Sequence, residues 1–395
     1  MAAIKPFRAI RPNPVFADQL VLTKPQTASV AGEVLPPLKT LLETGARLRP
    51  ETQAGQAEAF AAINGTLRHL LENGTLLQDE QPGIYVYEVE SPACKQTGIW
   101  AVTDRSNYTN GTIRTHELTF GDSVRRLTNY RLATGLEGSP VLLAYAPDPT
   151  INRLIAQAKS GPHSTLGNHL GLHRLWKIEA PDLVRQLVKA FEKVGPVYLA
   201  DGHHRFESAA QTPFPDISSL YLSTDELRIR EYDRVVLPEV PAAPGALLQQ
   251  LMRHFDLLGE GSDRSIQPRE PHRFGLFLGG TWYHLLARPH TYQDQSPGRA
   301  TDAAILQQYV LAPVFGIKDP KTDPRLKCLG GEQALPEINA LLDAHPGAIA
   351  FTLCPLAVSE LTAVADAGEV LPPKSSWIDP KIPYGLLMNH HKPTI

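Results

Sequence analysis

Short apolar runs separated by turn residues dominate the first 240 positions of the chain. Residues 83–89 alternate and are rich in β-formers, and residues 98–103 follow as a hairpin or sheet partner. Further short strands are predicted at 140–145 and 197–200. Because helical spacing of apolar residues occurs between the strands, we expect an α/β or α+β domain with a mixed sheet and flanking helices. The helices predicted from this spacing are 51–73 and 181–194.

A proline-rich run at 238–245, Pro-Glu-Val-Pro-Ala-Ala-Pro-Gly, is typical of a linker. We therefore place a domain boundary at about residue 240, with the α/β domain at 1–240 and a smaller α+β domain at 241–395. The elements predicted in the second domain are a hairpin at 273–278 and 281–286, a helix at 302–311, a strand at 348–353 and a helix at 359–367.

Composition narrows the class of protein. The chain has 395 residues, 42% of them hydrophobic and 20% charged, as in ordinary soluble globular proteins. A net charge of −3 and a pI near 6.5 give no reason to expect nucleic acid or an anionic membrane as partner. Cys94, Cys328 and Cys354 are far apart in the chain, which argues against a disulfide framework or a thiolate zinc site. We expect a cytoplasmic protein without a membrane span, and the sequence leaves its oligomeric state open.

A dense group of ionisable residues follows the strand predicted to end at Ala200. It consists of Asp201, Gly202, His203, His204 and Arg205, and a helix is predicted next. In such a strand–turn–helix unit the N–H groups of the helix start, the positive end of its dipole and the guanidinium converge, which suits a phosphate. The alternative is a buried turn capped by Asp201, with the histidines hydrogen-bonded to neighbours.

A second polar segment, residues 112–119, contains His116 and Glu117. The segment lacks the second histidine of an HExxH motif, so a zincin is not expected. A general acid/base role for either residue stays open, beside the alternative of a charged strand end. The arginines of the following helix, Arg131 among them, are expected on a solvated face.

The carboxyl-terminal run at 371–381 is polar and stiffened by proline. We predict that it folds back on the first domain and that Lys374 and Lys381 contribute cations to the site. His390 and His391 are expected to be disordered rather than ligands.

These segments resemble the uncharacterised domain-of-unknown-function-1015 family. The blocks that carry the resemblance are IKPFRAIRP at the start, IYVYE, IRTHELT at 113–119, YLADGHHRFESA at 198–209, DRVV at 233–236, DPKTDPR at 319–325 and LPPKSSWIDPKIPYGL at 371–386. The family usually carries a Pro-Pro-Tyr-Asp-like segment after the RP motif. This chain has Leu-Thr-Lys-Pro-Gln-Thr at 22–27 instead, which bears on whether a catalytic carboxylate stands there.

The DGHHR turn is also similar to the GxxR-type phosphate loops of ParB/sulfiredoxin-like proteins, which include nucleotide-dependent free serine kinases, ATP-using sulfiredoxins and CTP-hydrolysing partition proteins. This likeness implies a ParB/sulfiredoxin-like first domain and a nucleotide-dependent phosphotransferase for a small hydroxylated metabolite such as serine. DNA binding by analogy with partition proteins is disfavoured by the acidic pI and the lack of a clustered basic helix. The alternative of a different class is a non-catalytic nucleotide or metabolite sensor of the same fold.

In the enzyme interpretation, ATP or ADP and Mg²⁺ are the expected cofactors. The residues assigned to it are Gly202, His203, His204 and Arg205 for the phosphates, Lys374 and Lys381 to close the site, Asp201 or Glu117 for Mg²⁺, and Glu117, His116 and Asp201 as the catalytic set. All of them are expected to share one cleft.

Overall fold

A computed structural model describes residues 2–21, 38–43, 53–92, 94–119, 121–168, 171–240, 243–261 and 267–392. The segment at 22–27 that departs from the family pattern lies outside the described residues. The strands in chain order are β1 Ile4–Lys5, β2 Ile10–Pro12, β3 Leu76–Gln78, β4 Ile84–Glu90, β5 Lys95–Asp104, β6 Ile113–Arg114, β7 Leu136–Glu137, β8 Val141–Tyr145, β9 Ser164–Asn168, β10 Gly171–Ile178, β11 Val197–Asp201, β12 Asp216–Ser223, β13 Ile229–Arg230, β14 Tyr232–Val236, β15 Phe255–Gly261, β16 Arg273–Leu278, β17 Thr281–Ala287, β18 Leu326–Gly330, β19 Ile349–Leu353, β20 Trp377–Ile378 and β21 Asn389–His390.

The α-helices are α1 Ala17–Leu20, α2 Leu38–Glu43, α3 Gln53–Glu72, α4 Ser106–Thr109, α5 Gly121–Thr134, α6 Pro149–Lys159, α7 Pro181–Phe191, α8 His203–Ala210, α9 Pro244–Leu251, α10 Asp302–Leu306, α11 Ala312–Phe315, α12 Ala334–Ala344 and α13 Val358–Asp366. A π-helical turn, Gln307–Leu311, connects α10 to α11. Among the helices that the structure describes, none combines the length and the apolar character needed to cross a lipid bilayer.

The chain divides into two compact units. The first comprises Met1–Arg114, Thr119–Leu227 and Pro380–Ile395, and the second comprises Thr115–Leu118 and Arg228–Asp379. Strand β14 belongs to the second unit because it pairs with β18 and β19 there. The change of unit therefore comes before β14, ahead of the proline-rich run that suggested a boundary near residue 240.

The first unit is built on a mixed sheet in the order β6-β11-β8-β12-β5-β4-β10-β9, with β1 also paired to β5. Strand β11 runs parallel to β6, and β12 runs parallel to β8, whereas the other pairs are antiparallel. One face of the sheet is covered by α6 and α7, whose buried residues Leu154, Leu187 and Phe191 join Tyr221 in one apolar cluster. A mixed sheet flanked by helices confirms the predicted fold class, and the predicted pairing of β4 with β5 is also confirmed.

The carboxyl-terminal segment of the first unit is ordered by backbone pairing. Met388 N–H donates to the Ile10 carbonyl at 2.8 Å, and β21 pairs with β7. Since His390 lies in β21 and His391 stacks on Phe214, the expectation of a disordered histidine pair is wrong. The backbone pairing that orders this segment comes from residues far away in the sequence.

The second unit contains an antiparallel sheet in the order β15-β17-β16-β19-β14-β18. The hairpin predicted around Gly279 and Gly280 is confirmed as β16–β17, and both glycines have positive φ, 59° and 87°. Two-residue hairpin turns of this kind require such angles. Phe274, Leu276 and Phe351 belong to the buried core on this sheet.

Gly98 lies at a crowded point of the first sheet. A Cβ atom there would come within 2.5 Å of the Tyr221 carbonyl oxygen on the neighbouring strand. We expect Gly98→Ala to lower the free energy of unfolding by about 1–3 kcal/mol, the usual cost of overpacking. Gly65→Ala is the matched control, because Gly65 is in α3 with open space around it and should gain about 0.5–1 kcal/mol. Urea unfolding of both variants measures the contrast, and equal effects would contradict this account.

Candidate functional site

The end of β11 is irregular where the candidate site begins. Its register against β8 shifts between Leu199 and Asp201, as in a β-bulge, which redirects side chains at the end of a strand. Gly202 follows with φ 95°, in the left-handed region. A Cβ atom at Gly202 would lie 2.8 Å from Nη2 of Arg205, so glycine is required both by the backbone and by the arginine that lies over it.

Two cations share the Asp201 carboxylate. Arg205 Nη2 donates to Oδ2 at 2.8 Å, and Lys381 Nζ donates to Oδ1 at 3.3 Å. The other guanidinium nitrogen of Arg205 donates to the hydroxyl of Ser139, the residue two positions before β8. Two positive groups and one negative group leave a net positive charge at the carboxyl end of β11. All three charged side chains are partly exposed and can therefore be reached by a ligand.

Asp201 is ionised in this arrangement. Burial raises the pKa of its carboxyl, but the charges of Lys381 and Arg205 lower it by more, so the pKa lies below its ordinary value. His203 lowers it further. The carboxylate therefore keeps its charge at neutral pH and holds the two cations beside each other.

Helix α8 begins at His203, inside the group of ionisable residues. Its N-cap residue is Gly202, so no side chain of that residue accepts hydrogen bonds from the first turn. The oxygens of Asp201 accept from Arg205 and Lys381, and the alternative in which Asp201 caps the helix is not observed. The N–H groups of the first turn and the positive end of the dipole point toward the helix start beside these cations.

The turn between β7 and β8 is held by a buried carboxylate, Glu137. Its Oε2 atom accepts from Ser218 N–H and from Asn389 Nδ2, each at 2.8 Å, and lies 3.2 Å from His391 Nε2. Arg131 forms an ion pair with Glu137, and both side chains are buried. The expectation that Arg131 lies on a solvated face is therefore wrong, because its partner comes from tertiary contacts that helical spacing cannot reveal.

The remaining predicted site residues belong to the second unit. The His116 carbonyl accepts from Leu371 N–H at 2.8 Å, and Glu117 forms a bridge with Leu371. The Lys374 carbonyl accepts from Arg234 Nη2 at 2.8 Å, and Lys374 has a φ of 61°. The first unit thus brings Asp201, Gly202, His203, His204, Arg205 and Lys381 together, and a single cleft that also includes His116, Glu117 and Lys374 stays a prediction.

The magnesium ligands expected from the sequence, Asp201 and Glu117, belong to different units. In the described ranges, no group of three or more His, Cys, Asp or Glu side chains could hold a metal ion. Both oxygens of Asp201 face cations, so this carboxylate is not placed as a ligand. Asp201 is the anionic partner of Arg205 and Lys381.

Comparison with known proteins places the chain in a family. Residues 4–308 match the family model "Protein of unknown function (DUF1015)", so the chain belongs to this family and the predicted membership is confirmed. The match ends at residue 308, and the DPKTDPR and LPPKSS blocks lie beyond it. A search of curated proteins found no match.

Similar solved structures include a free serine kinase in complex with AMP, at 12% identity and a TM-score of 0.41, covering 74% of this chain and 91% of that chain. SbnI from Staphylococcus aureus, with a C-terminal truncation, matches at 12% identity and a TM-score of 0.39, covering 73% and 87%. A conserved hypothetical protein from Pyrococcus furiosus matches at 12% and 0.37, covering 72% and 93%. These are distant structural likenesses.

The Glu137 contacts predict a specific dependence of stability on pH. Burial raises the pKa of Glu137, but Arg131 and the contacts with His391 lower it to about 2. Because the folded-state pKa is depressed, this stabilisation is complete above the unfolded value near 4.5 and is lost as the pH falls toward 2. A shift of this size corresponds to about 3 kcal/mol.

We therefore expect Glu137→Gln to cost about 3–5 kcal/mol at neutral pH, because Arg131 is left buried without its counter-charge. The loss of stability between pH 4.5 and 2 should be shallower in this variant than in the parent protein. Urea unfolding across that range measures both effects. Glu58→Gln, on an exposed part of α3, should follow the parent curve. Parallel curves for Glu137→Gln and the parent would contradict the assignment.

Proposed function

We propose that the Asp201–Arg205 turn and Lys381 bind the phosphates of ATP or ADP. The proposal includes catalysis: the protein is a nucleotide-dependent phosphotransferase that acts on a small hydroxylated metabolite such as serine. The observation that carries it is the pair of cations, Arg205 and Lys381, held on one carboxylate at the start of α8. Serine is named because the DGHHR turn is similar to the phosphate loops of ParB/sulfiredoxin-like proteins, which include free serine kinases.

The geometry of Arg205 suits a phosphate. A guanidinium has five N–H donors in a planar fork, and its described bonds to Asp201 and Ser139 use Nη2 and Nη1 once each. The remaining N–H groups can donate to a second oxygen ligand in bidentate fashion. Because the arginine is already held in place, less side-chain entropy is lost on binding than for a mobile cation.

Asp201 has a positioning role in this proposal. Its negative charge repels a phosphate. The same carboxylate, however, accepts hydrogen bonds from both Arg205 and Lys381 and so holds the two cations beside each other. An incoming phosphate can take over donors from this carboxylate, as an exchange of one anion for another. The helix start adds backbone N–H groups on the same side.

The group that accepts the proton of the acceptor hydroxyl is assigned from the sequence to Glu117 or His116. Lys374 is kept as a further cation on the same basis. Phosphoryl transfer depends mainly on positioning and charge compensation, so the cation pair is the central requirement and the base is secondary.

A nucleotide or metabolite sensor is the second candidate. It is favoured by the departure at residues 22–27, where the family's Pro-Pro-Tyr-Asp-like segment is replaced by Leu-Thr-Lys-Pro-Gln-Thr. In a sensor the same turn binds the nucleotide, and no turnover follows.

Arg205→Lys tests phosphate binding. The change keeps the positive charge but removes the planar fork, so ATP and ADP binding should weaken by about 1–3 kcal/mol in calorimetric titrations. Arg185→Lys is the matched control, because Arg185 lies on α7 with its side chain 71% exposed. The control should bind like the parent protein. Unchanged binding in Arg205→Lys, or equal losses in both variants, would contradict phosphate binding at this turn.

Glu117→Gln separates enzyme from sensor. In an enzyme it should suppress nucleotide consumption in the presence of serine and related hydroxy-metabolites far more than nucleotide affinity. Glu337→Gln, on an exposed part of α12, is the control and should behave like the parent protein. Tight binding without consumption in the parent protein would favour the sensor. Consumption that survives Glu117→Gln combined with His116→Ala would overturn the assignment of the base.

A further inference from the structure

A cleft with a volume of about 520 Å³ opens in the first unit. It lies at the end of the sheet opposite to the Asp201–Arg205 turn (the phosphate turn). Tyr145 ends β8 and Ser223 ends β12, and the two residues are partners in parallel strands. Tyr145 pairs with Val197, the first residue of β11. Asp201 lies four residues beyond Val197, about 13 Å along the strand. The carboxyl ends of neighbouring parallel strands are a preferred place for ligands in α/β sheets.

The cleft begins where the apolar face of the sheet gives way to polar side chains. Glu88 on β4 pairs with Thr97 on β5, and Ser223 on β12 pairs with Tyr145 on β8. Side chains two positions apart in a strand share a face. The residues two positions further into these four strands belong to the apolar core: Val86, Ile99, Tyr221 and Leu143. The change from apolar to polar therefore occurs at the same level in β12, β5 and β4, whereas Tyr145 on β8 still belongs to the apolar core.

Glu88 is surrounded by cations at this end of the sheet. Its buried carboxylate forms ion pairs with Lys159, Arg174 and Lys95. Burial raises the pKa of Glu88, but these cations lower it to about 2. Lys159, which lines the cleft, is therefore ion-paired with Glu88, and Lys95 and Arg174 are also paired with Glu90.

Two further carboxylates line the cleft, Asp225 and Glu226. Glu226 Oε2 accepts from Thr97 N–H at 3.1 Å, and the ion pairs seen within the described part of the chain include neither carboxylate. Burial raises the pKa of Glu226, the Thr97 bond and the charge of Lys159 lower it, and the charges of Asp225 and Glu88 raise it, so that the pKa lies above its ordinary value. Two carboxylates and one lysine therefore line the cleft, and because the lysine is ion-paired with Glu88, negative charge is in excess there.

Ser223 provides an independent observation. Its side chain lines the cleft and is only 4% exposed, and its hydroxyl has no hydrogen-bond partner in the described ranges. A buried hydroxyl without a partner is unfavourable, and a native protein normally supplies one from protein, water or ligand. A polar group of a ligand in the cleft would satisfy it.

We infer that this cleft binds a small organic cation, a primary-amine metabolite whose ammonium group lies between Asp225 and Glu226 and whose second polar group bonds to the Ser223 hydroxyl. The volume is in the range of small-molecule sites, about 300–1,000 Å³. Two carboxylates and one hydroxyl supply fewer oxygen ligands than Ca²⁺ normally takes, which favours an ammonium group over a metal ion. This site goes beyond the proposed function, since it uses none of the residues of the phosphate turn.

Calorimetry on the full chain at neutral pH and low salt tests the inference. The probes are putrescine and ethanolamine, with 1,4-butanediol as the uncharged analogue of putrescine and calcium chloride as the inorganic cation. We expect one amine per chain to bind and the diol to fail at the same millimolar concentration. Glu226→Gln should weaken amine binding about ten- to a hundred-fold, the range for a lost charge-assisted hydrogen bond. Glu192→Gln, on an exposed position after α7, should bind like the parent protein.

Ser223→Ala gives a second test that does not depend on charge. If the hydroxyl serves the ligand, this variant should bind the amine more weakly while its melting temperature without ligand is unchanged or higher, because a buried unpaired group has been removed. Asp225→Asn, at an exposed position, replaces Glu226→Gln if that variant fails to fold. Failure of both amines to bind, equal binding of the diol, or binding of calcium in place of the amines would overturn the inference. Nucleotide binding in Glu226→Gln, measured on the same preparation, should equal that of the parent protein and so separates the two sites.

Discussion

The Asp201–Arg205 turn of the first unit depends on the buried, ionised carboxylate of Glu137. This group joins α5 through Arg131, β12 through the Ser218 backbone, and the carboxyl-terminal segment through Asn389 and His391. A buried charge is tolerated only when its partners are in place, so these elements must assemble together. Their assembly fixes Ser139 on one side of Arg205 and brings Lys381 to Asp201 on the other.

The two ends of the first sheet have opposite electrostatic character. At the carboxyl end of β11 the cations Arg205 and Lys381 outnumber the single carboxylate of Asp201. At the opposite end the cleft beside β8 and β12 is lined by Asp225 and Glu226, while nearby cations are paired with Glu88. Local charge therefore differs between the two ends of the sheet, although the net charge of the whole chain is only −3.

The second unit has its own buried carboxyl group, Asp233, on β14. Its Oδ1 atom accepts from Leu353 N–H at 2.9 Å and from Gln267 Nε2 at 3.5 Å. Burial raises the pKa of Asp233 to about 7, in contrast to Glu137, whose surrounding cations reverse the effect of burial. In these two groups the counter-charges, rather than burial alone, set the direction of the pKa shift.

Local sequence determined several secondary-structure elements and the set of ionisable residues in the Asp201–Arg205 turn. Apolar spacing located the β4–β5 and β16–β17 pairs, and the DGHHR sequence indicated a strand, a glycine turn and a helix start, because these features depend on residues close together in the chain. Only the tertiary structure decided that Lys381, 180 residues away, is the second partner of Asp201, and that Glu137 is surrounded by Arg131, Asn389 and His391. The cleft beside Ser223 was likewise not visible in the sequence, since it depends on the order and register of four strands, which hydrophobic periodicity does not encode.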